Sequence, residues 1–159
     1  MKKNIVLLAV LSVCFYTLVS GAEDSVNPKT YVKAAQAGDA QAQYNLGLCY
    51  FNGGNGLSKA METAVEWYSK AAEQGHAEAQ YALGQCYFYS NGINKDTTKA
   101  MEWYHKAAAQ GNANAQYRLG VCYAGGDGVK EDKAEAVKWL RKAAEQGHEK
   151  AKAELERLK

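Results

Sequence analysis

Apolar residues in this chain recur at helical spacing, and the spacing itself recurs. Ala42, Leu46, Gly47 and Tyr50 fall on one stripe of a helix. The stripe returns twice, so that Tyr44-Asn-Leu-Gly-Leu-Cys-Tyr50 is echoed by Tyr81-Ala-Leu-Gly-Gln-Cys-Tyr87 and Tyr117-Arg-Leu-Gly-Val-Cys-Tyr123. A second block follows each copy: Trp67-Tyr-Ser-Lys-Ala-Ala-Glu-Gln-Gly75, Trp103-Tyr-His-Lys-Ala-Ala-Ala-Gln-Gly111 and Trp139-Leu-Arg-Lys-Ala-Ala-Glu-Gln-Gly147. The tryptophans stand 36 positions apart, and Gly38, Gly75, Gly111 and Gly147 are separated by 37, 36 and 36. Periods of this length mark arrays whose units bury their apolar faces only against their neighbours. The pattern predicts an all-α fold, an α-solenoid of antiparallel helix pairs with about eight helices. Its parts are a half-repeat over 27–38, repeats over 39–75, 76–111 and 112–147, and a capping helix over 148–159. In the first repeat, helix A is predicted from Asp39 to Asn52 and helix B from Ser58 to Gln74.

Punctuation residues support these limits. Gly38, Gly75, Gly111 and Gly147 follow a helix B, where a left-handed residue ends a helix. Asp39 and Asn112 then stand as N-caps for the next helix A. Asn27 and Pro28 start the half-repeat as cap and first helical residue. Asp96 and Asp132 lie near the start of helix B, where negative charge complements the helix dipole; Ala60 takes that place in the first repeat. Gly47, Gly84 and Gly120 sit inside helix A at a cost of ~1 kcal/mol relative to alanine, which predicts a neighbouring backbone too close for a Cβ. The alanine pairs at 71–72, 107–108 and 143–144 offer a small surface opposite, and the tryptophans and tyrosines fill the space between layers. Residues 148–159 replace aromatics with polar or small groups, Ala153 for Tyr81 and Lys159 for Tyr87, as a solvent-facing end unit requires.

The first segment stands outside this periodicity. Lys2 and Lys3, the apolar run Ile5–Val19 and the small residues Ser20-Gly21-Ala22 form the pattern of a secretory signal peptide, over 1–22, cleaved after Ala22. The apolar run is shorter than the ~20 residues of a membrane-spanning helix, so no stable membrane span is expected in the mature chain. Lipid anchoring through Cys14 is disfavoured, because Val13 is bulky and apolar residues continue beyond it. Cleavage would remove two lysines from 19 basic and 17 acidic residues, leaving 17 of each. A neutral chain has no global drive toward nucleic acid or an acidic membrane. A periplasmic or secreted monomer is the expectation.

Candidate chemistry is sparse. Cys49, Cys86 and Cys122 occupy one position in each repeat; stacked helices place such positions ~8–10 Å apart, beyond the ~7 Å that a disulfide spans. They are expected to be buried thiols, and a row of three cannot converge on a tetrahedral metal. His76, His105 and His148 lack metal-ligand spacing and neighbour no nucleophile, so they are expected to cap helices or face solvent. Gly53-Gly54-Asn55-Gly56 lacks the strand and the Gly-Lys-Ser/Thr of a phosphate loop. No catalytic residue, cofactor or metal is assigned.

These blocks carry a resemblance. The run Ala-x-x-Gln-Tyr-x-Leu-Gly-x-x-Tyr, then Gly-x-Gly-Val-x-x-Asp, then Ala-x-x-Trp-x-x-Lys-Ala-Ala-x-Gln-Gly is similar to the Sel1-like repeat, a relative of the tetratricopeptide repeat. The third repeat matches best; the second departs at Ser90 and Ile93, the first at Leu57 and Ala60. The resemblance implies a right-handed superhelix of helix pairs that assembles or regulates other proteins, often in envelope biogenesis, signalling or host contact in bacteria. A cysteine-rich branch is implied to bind and hydrolyse penicillins, but it needs two cysteines per repeat and this chain has one. Ser25, Ser58, Ser69 and Ser90 also lack a lysine three residues on, so a β-lactamase-like hydrolase is rejected.

If helix A lines the concave face, as in tetratricopeptide arrays, positions that differ between repeats form columns free of packing duty. They are Asn45, Ala82, Arg118; Leu48, Gln85, Val121; Phe51, Phe88, Ala124; and Asn52, Tyr89, Gly125. Of these, Asn45, Leu48, Phe51, Asn52, Gln85, Phe88, Tyr89, Arg118 and Val121 are the candidate partner-binding residues. Aromatics and arginine often carry binding energy, and a protein or peptide ligand would suit the groove. The alternative is a cell-wall glycan or peptidoglycan-fragment binder, with sugars stacked on the aromatic half.

Overall fold

Helix ends in this chain are set by local hydrogen bonds, and the computed structural model, which describes residues 28–53 and 59–158, displays them repeat after repeat. Eight helices are described: α1 (Pro28–Gln36), α2 (Ala40–Asn52), α3 (Met61–Glu73), α4 (Ala77–Tyr89), α5 (Thr97–Ala109), α6 (Ala113–Gly125), α7 (Lys133–Glu145) and α8 (Glu149–Arg157). No strand occurs among the described residues. The leader at 1–22, the Asn27 cap, the first A-to-B turn at 54–58 and Lys159 lie outside them.

Asp39, His76, Asn112 and His148 each accept a backbone N–H three residues on, from Ala42, Ala79, Ala115 and Ala151. Asp96 and Asp132 do the same at the starts of α5 and α7. Ala60 makes no such bond. Helix B of the first repeat begins at Met61, later than the predicted Ser58. Ala60 is non-helical (φ −139°, ψ 88°), and its N–H donates to Tyr50 O, which holds it in the turn. At the other end Gly75 has φ +90°; its N–H donates to Ala72 O and the His76 N–H to Ala71 O, which together close the helix. Ser90, where the Sel1-like pattern has glycine, takes the left-handed conformation at φ 60°.

Consecutive helices pack on one another along the chain. Within a pair they run antiparallel, because Gln43 near the start of α2 meets Gln74 at the end of α3. The core lies between repeats: Ala64, Val65, Tyr68, Ala71 and Ala72 of α3 form one buried cluster with Ala79, Leu83 and Cys86 of α4. Met101, Tyr104 and the alanines of α5 do the same with Ala115, Leu119 and Cys122 of α6.

The helix-A glycines have a nearer neighbour than the one expected. A Cβ on Gly84 would come within 2.7 Å of the Tyr104 ring, and on Gly47 within 2.6 Å of Tyr68; the nearest backbone atoms, Ala100 O and Ala64 O, are 3.3 Å away. Glycine therefore admits first a buried tyrosine, or Leu140 opposite Gly120, and behind it the expected close backbone, a helix-B carbonyl oxygen at 3.2–3.3 Å. The helix-B alanines face the next repeat instead of these glycines.

Three glutamines lock the repeats together. Buried Gln43, Gln80 and Gln116 donate to Ala35 O, Ala72 O and Ala108 O of the preceding helix B at 3.1, 3.1 and 3.2 Å. Each also accepts from the glutamine ending its own repeat, Gln74, Gln110 or Gln146, at 2.7–2.8 Å. Burying an amide is costly unless it is bonded, so each link satisfies a side chain and orients a neighbour. The series stops at α8, where Lys152 holds the equivalent place and only Ala151 is buried. Ala153, in the place of Tyr117, is exposed.

Candidate functional site

The A helices α2, α4 and α6 carry the columns of differing residues, and members of all four columns meet in a cleft. Between α2 and α4 lies an opening of ≈ 170 Å³. Helix α2 contributes Tyr44, Leu48, Phe51 and Asn52, and α4 contributes Ala82 and Gln85, with Tyr68 of α3 buried behind them. Four predicted residues, Leu48, Phe51, Asn52 and Gln85, therefore share one site. Tyr44 and Tyr81 also line it; they match in all three repeats and so belong to the packing set, while Tyr68 lies on helix B, outside the helix-A columns. The Tyr44 and Tyr68 rings, 5.9 Å apart, do pack, yet one side of each faces the opening.

One repeat along, between α4 and α6, the same frame is occupied differently. Tyr81 and Phe88 stand 5.9 and 6.4 Å from Tyr104, matching Tyr44 and Phe51 around Tyr68. Where α4 has Ala82, α6 has Arg118. Its guanidinium lies 5.4 Å from the Tyr89 ring centre and 5.9 Å from that of Tyr117, stacking that favours a cation. Phe88 and Tyr89 meet edge to face at 5.0 Å. The Tyr81 hydroxyl accepts from Gln85 Nε2 at 2.8 Å. Burial works against the charge on Arg118, but the neighbouring Tyr81 hydroxyl and the negative charge that Tyr89, Tyr81 and Tyr104 gain on ionising outweigh it, so its pKa is raised.

The remaining predicted residues are placed plainly. Asn45 accepts from Gln41 Nε2 at 3.1 Å within α2 and takes no part in the cleft between α2 and α4. Val121, partly buried, holds on α6 the position of Gln85. The aromatic half of the face carries cations that the prediction missed: Lys59 lies over Phe51 at 5.7 Å and Lys95 over Phe88 at 5.9 Å. Their spacing of one repeat was the available signal. Glu131 takes this place in the third repeat. A second lysine series backs the opposite helices, with Lys70, Lys106 and Lys142 over Trp67, Trp103 and Trp139 at 4.1, 3.9 and 4.3 Å.

Reactive chemistry is muted. Cys49, Cys86 and Cys122 are buried thiols. Burial pushes Cys49 up and pushes Cys86 and Cys122 up to about 11, which keeps them protonated and unreactive near neutrality. His76 accepts the Ala79 N–H through Nδ1, while its Nε2 meets Gln41 Oε1 at 3.0 Å and its ring stacks on Tyr44 at 5.0 Å. His148 repeats the arrangement with Ala151, Asn114 and Tyr117. His105, grouped with the capping or solvated histidines, is instead half-buried beside Trp139 and meets Tyr123 Oη at 3.2 Å. Large aromatics on α6 and α7 cover it. Among the described residues no group of three or more His, Cys, Asp or Glu is placed to hold a metal ion.

Comparison with known proteins gives this architecture a family. The Sel1 repeat model matches residues 40–76, 77–112 and 113–148, each match beginning one residue after an N-cap. The chain belongs to the Sel1 repeat family. Sel1 repeats generally serve as scaffolds for protein–protein interaction rather than as catalysts. A protective antigen of uropathogenic Escherichia coli strains with an SLR fold is 45% identical at a TM-score of 0.76, over 79% of this chain and 27% of that one. A Sel1 repeat protein from Oxalobacter formigenes is 34% identical at 0.71, over 82% of this chain and 58% of that one. Cysteine-rich protein B of Helicobacter pylori is 26% identical at 0.61, over 79% and 89%. The chain thus spans about a quarter and somewhat over half of the first two structures. No curated protein matches it. No helix among the described residues of this Sel1 chain is long and apolar enough to cross a membrane.

Proposed function

We propose that this Sel1 repeat chain is an exported, non-catalytic scaffold that holds a protein or peptide segment along its A helices. The open cleft between α2 and α4 carries the reading, because residues that differ between repeats, Leu48, Asn52, Ala82 and Gln85, stand around its recurring tyrosines and vary its chemistry from one repeat to the next. It combines an apolar patch, Leu48 and Phe51, with the amides of Asn52 and Gln85, the mixture by which ligand pockets anchor and orient. Tyr89, 47% exposed, and Arg118 extend the face with residue types enriched at binding hot spots. An extended segment or an amphipathic helix fits such a face. Export is supported by the leader-like pattern of residues 1–22 and places the scaffold in the periplasm or outside the cell.

The test is to fill the opening. Ala82→Arg gives the first cleft the side chain that occupies the second. Partner co-purified with the tagged mature chain should be lost while the melting temperature stays within a few degrees. Charge substitutions at Phe88, Tyr89 and Arg118 should also remove capture. Survival of capture in all of these, or binding to purified cell-wall fragments with no protein partner, would overturn the reading. Retention in the cytoplasm of a reporter fused after Ala22 would overturn its export half.

A further inference from the structure

The helices α2, α4, α6 and α8 start on Asp39, His76, Asn112 and His148, so two of these four caps are side chains of the kind that changes charge between pH 5 and 8. The bonds at both rings select one neutral tautomer. Nδ1 accepts the Ala79 N–H at 3.3 Å or the Ala151 N–H at 3.2 Å, which takes a lone pair. Nε2 then carries the proton and donates to Gln41 Oε1 at 3.0 Å or Asn114 Oδ1 at 3.2 Å. Each ring stacks on a tyrosine of the A helix before it, Tyr44 or Tyr117. A second proton would turn Nδ1 into a donor facing a donor. It would also place a positive charge at the positive end of a helix dipole.

What surrounds the two rings differs. Glu78 Oε2 stands 3.4 Å from His76 Nδ1 and can accept from a protonated ring in place of the backbone bond. Lys150 holds that place in α8, and Glu149 beside it pairs with Lys152 at 2.7 Å. From α6, His148 meets Asn114 and Tyr117, and the Arg118 guanidinium lies 5.9 Å from that tyrosine ring. From α7 it meets backbone, Ala143 O accepting its N–H. No ion pair among the described residues uses His148. Helix α4 has a further hold, because Gln80 bonds to Ala72 O and to Gln110. In α8 Lys152 replaces that glutamine, and only Ala151 is buried, against Leu140 and Ala143.

We infer that α8 is an acid-released cap and that His148 is its latch. The docked helix needs the neutral ring, so docking is complete above the range where imidazoles charge and weakens as pH falls through it. Release uncovers Leu140 and Ala143 at the end of the array, while α2 to α6 stay stacked.

NMR of the 15N-labelled mature chain between pH 8 and 5, a window above the ordinary range of carboxylates, tests this. At pH 8 the His148 proton should sit on Nε2. Amide-exchange protection at Ala153 and Leu155, corrected for the intrinsic pH dependence of exchange, should fall about tenfold by pH 5, the scale of a lost helix cap. Protection in α4 and α6 should change far less. His148→Asn supplies the cap that Asn112 provides and cannot charge, so α8 protection should then stay flat. His76→Asn should leave the fall in α8 as it is. A proton on Nδ1 at pH 8, flat α8 protection in wild type, or a fall that persists in His148→Asn would each overturn the latch. So would an equal fall in every helix, which is unfolding of the whole array rather than release of its end.

Discussion

The spaces on either side of α4 share one frame of recurring rings and differ in the side chains set around it. Leu48, Asn52, Ala82 and Gln85 stand at the first, against Gln85, Tyr89, Arg118 and Val121 at the second. Tyr44, Phe51 and Tyr68 around the first have the same ring distances as Tyr81, Phe88 and Tyr104 around the second, 5.9 and 6.4 Å. Ala82 leaves the first open, whereas Arg118 lays a guanidinium across the second. The difference teaches that a repeat array separates its two duties by position. Residues that recur hold neighbours together, and residues that vary between them set the chemistry of the face.

The most damaging way to probe the shared frame is to remove its central ring. Tyr68→Ala and Tyr104→Ala should each cost about 3–5 kcal/mol, as large-to-alanine truncations in cores do. Chemical denaturation measures both, and costs that differ widely would show that the two repeats are not built alike. Next in size, Gly84→Ala would drive a Cβ into the Tyr104 ring, and overpacking of this kind costs about 1–3 kcal/mol. A neutral or stabilising result would mean the ring can move aside.

Smaller changes sharpen the contrast between the first repeat and its neighbours. Ala60→Asp should add the cap that Asp96 and Asp132 provide in the other two, a gain of ~1 kcal/mol in urea unfolding. Alkaline titration tests burial beneath the clefts. Cys86 and Cys122 titrate near 11 in the folded chain against an ordinary value of 9.0. Their stabilising contribution is whole below pH 9 and is lost as pH rises from 9 to 11, because the unfolded chain releases those protons first. Tyr68 and Tyr104, also raised chiefly by burial, extend the loss above pH 10. A urea midpoint flat across this window would show the thiols to be hydrated. The smallest effect belongs to the face itself. Ala82→Arg and Arg118→Ala, at part-buried positions on the face, should shift stability by about 1 kcal/mol or less each, below the cost of the core changes.

Much of this was legible before any folded geometry. Helix pairs, the half-repeat at one end and the polar helix at the other follow from period and punctuation, and the Asp39 and Asn112 caps reach only three residues along the chain. The face was legible as columns, which brought Leu48, Phe51, Asn52 and Gln85 to one opening. The glycines show where such reasoning stops. Their cost inside a helix was evident, but the ring that requires them lies on the following helix.

What the sequence by itself determined was therefore the local and the periodic: hydrogen bonds close at i to i+3 or i+4, and repetition multiplies each such inference. Only the tertiary structure decided which groups share space. It tied Gln43 to both Ala35 and Gln74, set lysines over the Phe rings, and left Tyr104 and Arg118 with unanswered donors between α4 and α6. Those relations join residues on different helices, and their geometry depends on how closely each repeat settles on the next. No spacing along the chain encodes that distance.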